Sequence, residues 1–231
     1  MTVVLATVCR DGVVLGSDSQ ITDKGRGMTY PAEKLHPLGK LAAWGGSGAR
    51  SVLFDVERCF NENSAAILEA PDIGRALQEQ VLPILSHHYK TFIPDVPGEE
   101  GGGTPSAYVM AAGWRDGEPW IVEITPSGMI GHYADIGFHA IGSGAAMAQQ
   151  AGSLLSHFHL TKRSLRFGCA AVLRVLQALD LTSSSVGEPF SICRIDKDGA
   201  HHLSDKEIDA VNKDVRRWEN AEQAAIADIF D

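Results

Sequence analysis

Two apolar segments at the start of the chain place the strongest constraint on its fold. Residues 3–9 and 13–17 are rich in β-branched side chains, and the dipeptide Asp11-Gly12 between them is typical of a tight turn. The spacing predicts an antiparallel hairpin whose first strand begins at Thr2. Because strands joined by so short a turn must run antiparallel, a purely parallel sheet is excluded.

The rest of the chain repeats strands and helices in a regular order. Apolar periodicity predicts four helices, over residues 49–61, 73–88, 145–157 and 164–179. Strands are predicted over residues 40–44, 106–112, 119–124, 129–133, 137–141, 190–195 and 199–203, with glycine turns at 45–48 and 142–144. Two antiparallel sheets packed face to face, with a pair of helices outside each, would bury the apolar faces of all these strands and helices. We therefore predict an α+β fold, a four-layer αββα sandwich.

The length of 231 residues suits one domain, and neither an internal repeat nor a boundary is visible. We predict a single domain over residues 1–231, with a helical extension from about residue 204. Ser204 and Glu207 have the spacing of a capping box. The helix that follows carries a broad apolar stripe, expected to pack on the domain or a neighbouring subunit: Ile208, Val211, Val215, Trp218 and Ala225. The Pro- and Gly-rich residues 94–105 predict a flexible loop.

Composition narrows the classes of partner. The formal net charge of −9 argues against nucleic acid as the main partner, because phosphate binding needs a basic surface. We expect no membrane span, since apolar runs fall short of about 18 residues. The start of the chain has no signal-peptide pattern, which predicts a cytoplasmic protein. The cysteines and histidines lack disulfide or metal-site spacing, so we expect buried, reduced thiols, no metal and no cofactor.

The threonine that follows Met1 has a chemical use. If Met1 is removed, Thr2 carries both a hydroxyl nucleophile and an α-amine whose reference pKa is about 7.7–8.0. That amine can take the hydroxyl proton as a general base. A lysine nearby would lower the pKa of the amine, a carboxylate would hold the lysine, and backbone N–H groups of a glycine turn would bind the oxyanion. Thr2 therefore predicts one Asp, one Lys and one glycine-rich turn.

The sequence supplies all three. Asp18 follows the second predicted strand, Lys34 comes next, and the glycine run of residues 45–48 follows. Competing arrangements are missing, because Ser47 and Ser143 do not lie in the G-x-S-x-G pattern of a nucleophile elbow. Nor does any cysteine lie in a recognisable catalytic pattern. The amino terminus is left as the candidate nucleophile.

These motifs resemble those of the β-type subunits of the 20S proteasome and of the bacterial HslV peptidase, within the N-terminal-nucleophile hydrolases. The resemblance rests on the threonine head, the Asp-Ser-x-x-Thr motif of residues 18–22, Lys34 at the family's distance from Thr2, and Gly-Ser-Gly at 142–144. It covers most of the chain in element order. A divergent bacterial branch of proteasome homologues would fit the additional loop and terminal helix.

The resemblance implies a role for each matching residue. Thr2 would be the nucleophile, Lys34 would tune its amine, and Asp18 would orient the lysine. Ser143 would hydrogen-bond near the amine. Gly45 is expected to supply the oxyanion N–H group, in a glycine run whose register is open by a residue.

The resemblance also implies residues around the substrate. Thr22, with Ile21 and Gly48, would pair with a peptide as an added strand. The pocket for the residue before the cut is expected to be lined by Ile21, Ala32, His36 and Ala43.

A later Asp-x-x-Ser motif of the family matches Asp180 and Ser183, although the Gly-Gly that follows in the family is absent here. An alternative register puts Thr182 in the place of the aspartate.

The resulting prediction is a threonine endopeptidase subunit of a self-compartmentalising protease. The resemblance implies a homo-oligomeric ring that takes peptides or unfolded proteins, fed by a separate ATP-driven unfoldase, since this chain has no ATP-binding motif. Two alternatives stay open. One is an amidase or transpeptidase of the same fold, and the other is a non-catalytic ring subunit that retains Met1.

Overall fold

A computed structural model describes residues 2–23, 28–94, 104–183 and 186–231, with the side chains of residues 22 and 23 left out. The described residues form twelve strands: β1 Val4–Cys9, β2 Gly12–Ser17, β3 Gln20–Asp23, β4 Met28–Pro31, β5 Leu35–Pro37, β6 Ala42–Gly48, β7 Ala107–Arg115, β8 Glu118–Ile124, β9 Ile130–His132, β10 Phe138–Ile141, β11 Ser191–Asp196 and β12 Gly199–His202. They also form five α-helices: α1 Arg50–Glu69, α2 Ile73–Thr91, α3 Ala145–Leu155, α4 Leu165–Thr182 and α5 Asp205–Phe230.

Two five-stranded antiparallel sheets make up the centre of the molecule. Their strand orders are β10-β1-β2-β11-β12 and β5-β6-β7-β8-β9, and β3 pairs with β4 beside them. One core cluster lies between the sheets, a second lies under α1 and α2, and a third lies under α3, α4 and α5. The predicted α+β sandwich of four layers is therefore confirmed.

Strand β1 shows why the chain opens with an unbroken apolar run. Val3 and Leu5 face the α3–α4 layer, whereas Val4 and Ala6 face the other sheet. A strand buried on both faces has no polar side to alternate with. This double burial fixes the position of Thr2 at the edge of both layers.

The first hairpin is confirmed, but its turn lies one residue earlier than predicted. Cys9 pairs with Gly12, so the turn consists of Arg10 and Asp11. Gly12 belongs to β2, where a Cβ atom would lie only 2.1 Å from the carbonyl oxygen of Ile195. The glycine is needed for close contact with β11 rather than for the turn.

The glycine run of residues 45–48 was predicted as a turn, and this is wrong. It forms the second half of β6 and pairs with β7 throughout. At Gly45 a Cβ atom would meet the carbonyl oxygen of Lys34 and the side chain of Val4, each at 2.9 Å. The run lacks side chains because neighbouring strands press close, and Gly48 alone within it has a positive φ, of 133°.

Several elements differ from prediction at their ends. Helix α1 continues to Glu69 rather than residue 61, because its buried side reaches Ile67. The strands β3, β4 and β5 were not predicted. The predicted loop over residues 94–105 falls mostly outside the described residues.

The terminal helix α5 begins with the expected capping box, in which Ser204 and Glu207 bond each other's backbone N–H groups. Its stripe packs against the core cluster at Ile208, Val211, Val215 and Trp218. Ala225 is exposed, so the expected contact ends before it. The last turns instead carry exposed apolar side chains, at Ile226, Ile229 and Phe230.

Within the described ranges, every helix is too short or too polar to cross a bilayer. The same residues bring no three His, Cys, Asp or Glu side chains together as a metal site. Four free thiols are present, and burial raises the pKa of Cys9 and Cys193 to about 12 and that of Cys169 to about 11. Cys59 is only partly buried, contrary to expectation.

Candidate active site

A buried ion pair lies at the centre of the candidate site. Asp18 comes directly after β2 and Lys34 directly before β5, and Lys34 Nζ donates to Asp18 Oδ1 at 2.7 Å. The same ammonium donates to the carbonyl oxygen of Gln20 at 2.7 Å. Asp18 also accepts the backbone N–H groups of Val3, at 2.9 Å, and Gln20, at 3.1 Å. A carboxylate held by this many donors fixes the lysine in one position.

The lysine of this pair has an unusual environment. Burial lowers the pKa of Lys34, and the neighbouring Asp18 carboxylate opposes that shift. The ammonium is therefore stabilised mainly by a single carboxylate in a site that excludes most water. A buried cation can lower the pKa of a nearby amine or stabilise an oxyanion, and Thr2 lines the same pocket as Lys34.

The loop after β10 holds the other side of Thr2. The Thr2 nitrogen donates to Ser143 Oγ at 3.0 Å, and the nitrogen of Gly144 donates to the Thr2 carbonyl oxygen at 3.2 Å. Gly142 has a φ of 97°, and a Cβ atom there would lie 2.2 Å from the same oxygen. A glycine is thus required at position 142 by close contact with Thr2 as well as by backbone conformation.

Thr2 opens onto a pocket of about 840 Å³ that runs between β3, β6 and the start of α1. Lys34 and Ser143 also lie on its wall. The remaining wall combines glycine backbone, apolar side chains and charged side chains, among them Gly46, Gly48, Trp44, Leu53, Arg50, Glu33 and Glu57. This arrangement gives a concave site with a few convergent polar groups, as ligand sites usually have.

Four of the residues predicted for catalysis come together. Thr2, Lys34 and Ser143 share the pocket wall, and Asp18 lies behind Lys34. Gly45 does not line the pocket, because it is enclosed in the sheet between Leu35 and Met110. The part of the glycine run that reaches the pocket is residues 46–48, which lie one to three residues after the predicted Gly45.

The late Asp-x-x-Ser motif lies at the end of α4. Asp180 is exposed and Ser183 is buried just after the helix. Neither lines the pocket in the described part of the chain. The segment that follows returns to the site, since Gly187 accepts a hydrogen bond from the backbone of Ser19 at 3.3 Å and Val186 packs near Gly144.

Some of the residues predicted to contact the substrate line the pocket, and others do not. Ile21 and Gly48 line the pocket, as do Ala32 and His36. Ala43 does not, because it faces the core between the sheets. Thr22 lies in β3, but its side chain falls outside the described residues.

One buried carboxylate on the wall was not predicted. Glu123 of β8 is 6% exposed and lies 2.7 Å from His139 Nε2 on β10. Tyr133 stacks on His139, with ring centroids 3.4 Å apart, and burial together with the Glu123 carboxylate raises the pKa of Tyr133. The only signal in the sequence is a lone glutamate in an apolar strand, which does not indicate its partners.

Comparison with family models of known proteins gives no match. Solved structures do match. The Anbu (Gly-1) mutant from Hyphomicrobium sp. strain MC1 is 16% identical, covers 100% of both chains and superposes with a TM-score of 0.72. Anbu (ancestral β-subunit) from Yersinia bercovieri is 14% identical, with 97% of this chain and 96% of that chain covered and a TM-score of 0.72. The chain therefore has the fold of the Anbu proteins, which is the proteasome-type sandwich expected from its sequence.

Proposed function

We propose that this protein is a threonine endopeptidase subunit whose nucleophile is Thr2 after removal of Met1. The observation that carries the proposal is the double anchoring of this residue. Its nitrogen bonds Ser143 Oγ at 3.0 Å, and the next residue's N–H bonds the Asp18 carboxylate that holds Lys34. A chain end held from two sides and opening onto a pocket is suited to nucleophilic catalysis.

The reaction follows from the chemistry of an amino-terminal threonine. Removal of Met1 converts the Thr2 nitrogen from an amide, which cannot accept a proton, into an amine. As Thr2 Oγ attacks the substrate carbonyl carbon, the amine takes the hydroxyl proton and later gives it to the leaving amine of the substrate. Water then hydrolyses the ester between Thr2 and the substrate, which restores the hydroxyl.

The remaining groups have supporting roles in this proposal. Lys34 stabilises the developing negative charge and lowers the pKa of the amine. The backbone N–H groups of residues 46–48, rather than that of Gly45, are the candidates for binding the oxyanion. Asp180 and Ser183 lie outside the pocket lining and stay predicted supporting residues.

We also propose that the substrate is a peptide or unfolded protein and that the subunit works in a homo-oligomeric assembly in the cytoplasm. The pocket lies beside β3 and the end of β6, where an extended peptide can add as a strand. The description of the Yersinia protein as a β-subunit supports assembly. Residues 1–231 would act as one domain with α5 as its extension, and an ATP-driven unfoldase would be a separate protein.

The direct test is intact mass spectrometry with and without a β-lactone that acylates amino-terminal threonine. We expect a species that lacks Met1 and gains one adduct, and neither the adduct nor peptide turnover in Thr2→Ala. Retention of Met1 with no adduct would overturn the proposal and leave a non-catalytic subunit. Adduct formation with turnover of small amides but not peptides would identify an amidase instead.

A further inference from the structure

The pocket beside Thr2 is lined by several charged groups. Six acidic or basic side chains lie on its wall: Glu33, Lys34, His36, Arg50, Glu57 and Glu123. Two of these already have close partners, since Lys34 is paired with Asp18 and the Glu123 carboxylate lies 2.7 Å from His139 Nε2. Arg50 is exposed at the start of α1, against the ring of Tyr30.

Glu57, like the exposed Glu33, has an accessible carboxylate on this wall, but Glu57 also lies near His36. Its side chain is 39% exposed, and its contact with His36 is long, at 3.4 Å from Nδ1 to Oε1. His36 itself stacks on Trp44, with ring centroids 4.8 Å apart. The carboxylate therefore lies beside an aromatic pair and retains capacity for a further cationic partner.

Thr2 and Glu57 line different parts of the same pocket wall. A Cβ atom on Gly142 would lie 2.2 Å from the Thr2 carbonyl oxygen and 3.0 Å from Ser47 Oγ, so Ser47 lies near Thr2. Glu57 instead approaches His36, which pairs with Trp44 in β6. Trp44 precedes Ser47 by three residues, an offset of about 10 Å along the strand, and it faces the α1 side of the sheet. A substrate side chain bound beside Thr2 must therefore extend along the pocket to reach Glu57.

The walls between these two ends are apolar. Ile21 and Ala32 line one part, and Leu53 covers Gly46, whose missing side chain leaves room for it. Lysine and arginine bury an aliphatic stem along apolar surface and keep a charged head at its end. An acidic side chain in the same place would be repelled by Glu57.

We propose that Glu57 selects peptides with lysine or arginine immediately before the cut, an inference that rests on the proposed function. Glu57 is a specificity residue here, because it would contact the substrate side chain and not the reacting atoms. An apolar substrate residue would pack against the apolar walls but would leave the Glu57 carboxylate without a cation.

The test uses fluorogenic peptides that differ only in the residue before the cut: Arg, Leu or Glu. We expect wild-type kcat/KM to be highest for the Arg peptide. Glu57→Gln should lower that value about tenfold and change the Leu value less than about twofold. Glu57→Lys should shift the preference towards the Glu peptide. The matched control is Glu62→Gln, an exposed position on the same helix away from the pocket, which should change nothing.

Each other outcome overturns the inference. A wild-type preference for Leu, or an equal loss on all three peptides in Glu57→Gln at unchanged Tm, removes the role of Glu57. The β-lactone adduct on Thr2, measured in parallel, separates the two proposals. If an adduct forms and the Leu or Glu peptide is cleaved at least as fast as the Arg peptide, only the specificity is overturned, whereas no adduct and no cleavage overturn the peptidase as well.

Discussion

Lys34 Nζ lies 2.7 Å from Asp18 Oδ1, and the two side chains are only 6% and 0% exposed. Two charges removed from water this completely depend on each other, because neither has solvent to replace its partner. The pair links the proposed catalytic cation to the backbone of Val3, whose N–H group bonds the same oxygen of Asp18. We therefore expect a change at this contact to affect both stability and the proposed activity.

Lys34→Met would leave the Asp18 carboxylate buried without a cation. We expect the free energy of unfolding to fall by about 3–5 kcal/mol, measured by urea denaturation. The double variant Asp18→Asn/Lys34→Met should recover much of this loss, because no buried charge remains. Lys197→Met, at an exposed lysine, should change stability by less than about 0.5 kcal/mol. Equal losses in the single and double variants would show that the charge is not the cause.

The lowered pKa of Lys34 predicts the alkaline limit of Thr2 reactivity. The rate of β-lactone acylation should rise as the amine loses its proton, near or below its reference pKa of about 7.7–8.0. It should fall again as Lys34 loses its charge, with a midpoint below the ordinary lysine pKa of about 10.4, because burial favours the neutral form. A falling limb at or above that value would contradict the assignment.

The lowered pKa of Lys34 also makes the stability of the fold depend on pH. The folded chain releases the Lys34 proton at a lower pH than the unfolded chain does, so the unfolded chain binds more protons in the window between the two pKa values. The contribution of Lys34 to the free energy of unfolding should therefore rise with pH across that window. Denaturation of wild type and Lys34→Met at several alkaline pH values measures the difference, and a contribution that falls with pH would contradict it.

Gly142→Ala should displace Thr2. Its φ of 97° is unfavourable for alanine, and the new Cβ atom would lie 2.2 Å from the Thr2 carbonyl oxygen. Gly117→Ala is the matched control, since its φ is 90° and no atom lies within 4 Å of the added carbon. We expect Gly117→Ala to cost about 1–2 kcal/mol of stability from backbone strain alone. Gly142→Ala should cost more and abolish the β-lactone adduct, and equal effects in the two variants would exclude the clash.

The sequence predicted the long elements because their patterns have many repeats. Helices α1, α2 and α4 follow apolar periodicity that tertiary contacts reinforce, and the first hairpin follows from two apolar runs around a turn. The strands β3 to β5 have three or four residues each, which is too short for a period to be visible, and the equally short β9, β10 and β12 could be predicted only from the turn residues beside them. The run from Gly45 to Gly48 was misassigned because glycine serves equally for turns and for close strand contact.

The candidate site also contains some residues that could be predicted from the sequence and others that could not. Thr2, Asp18 and Lys34 could be predicted because their chemistry requires one another at a spacing that the sequence displays. Glu123 and His139 could not be predicted, since they meet only where one sheet packs on the other. The depth of the pocket and the place of Glu57 at its end likewise depend on how α1 packs over β6.

Ser143→Ala tests the contact on the amine side of Thr2. The variant removes the oxygen that accepts the Thr2 N–H at 3.0 Å, and the site is exposed, so the fold should lose less than about 1 kcal/mol. We expect the rate of β-lactone acylation to fall about tenfold, which corresponds to a loss of about 1.4 kcal/mol in orienting the amine. Ser153→Ala makes the same change on exposed α3 surface and should leave the rate unaltered. If Ser143→Ala is acylated as fast as wild type, the amine is oriented by the Asp18 side of the site alone.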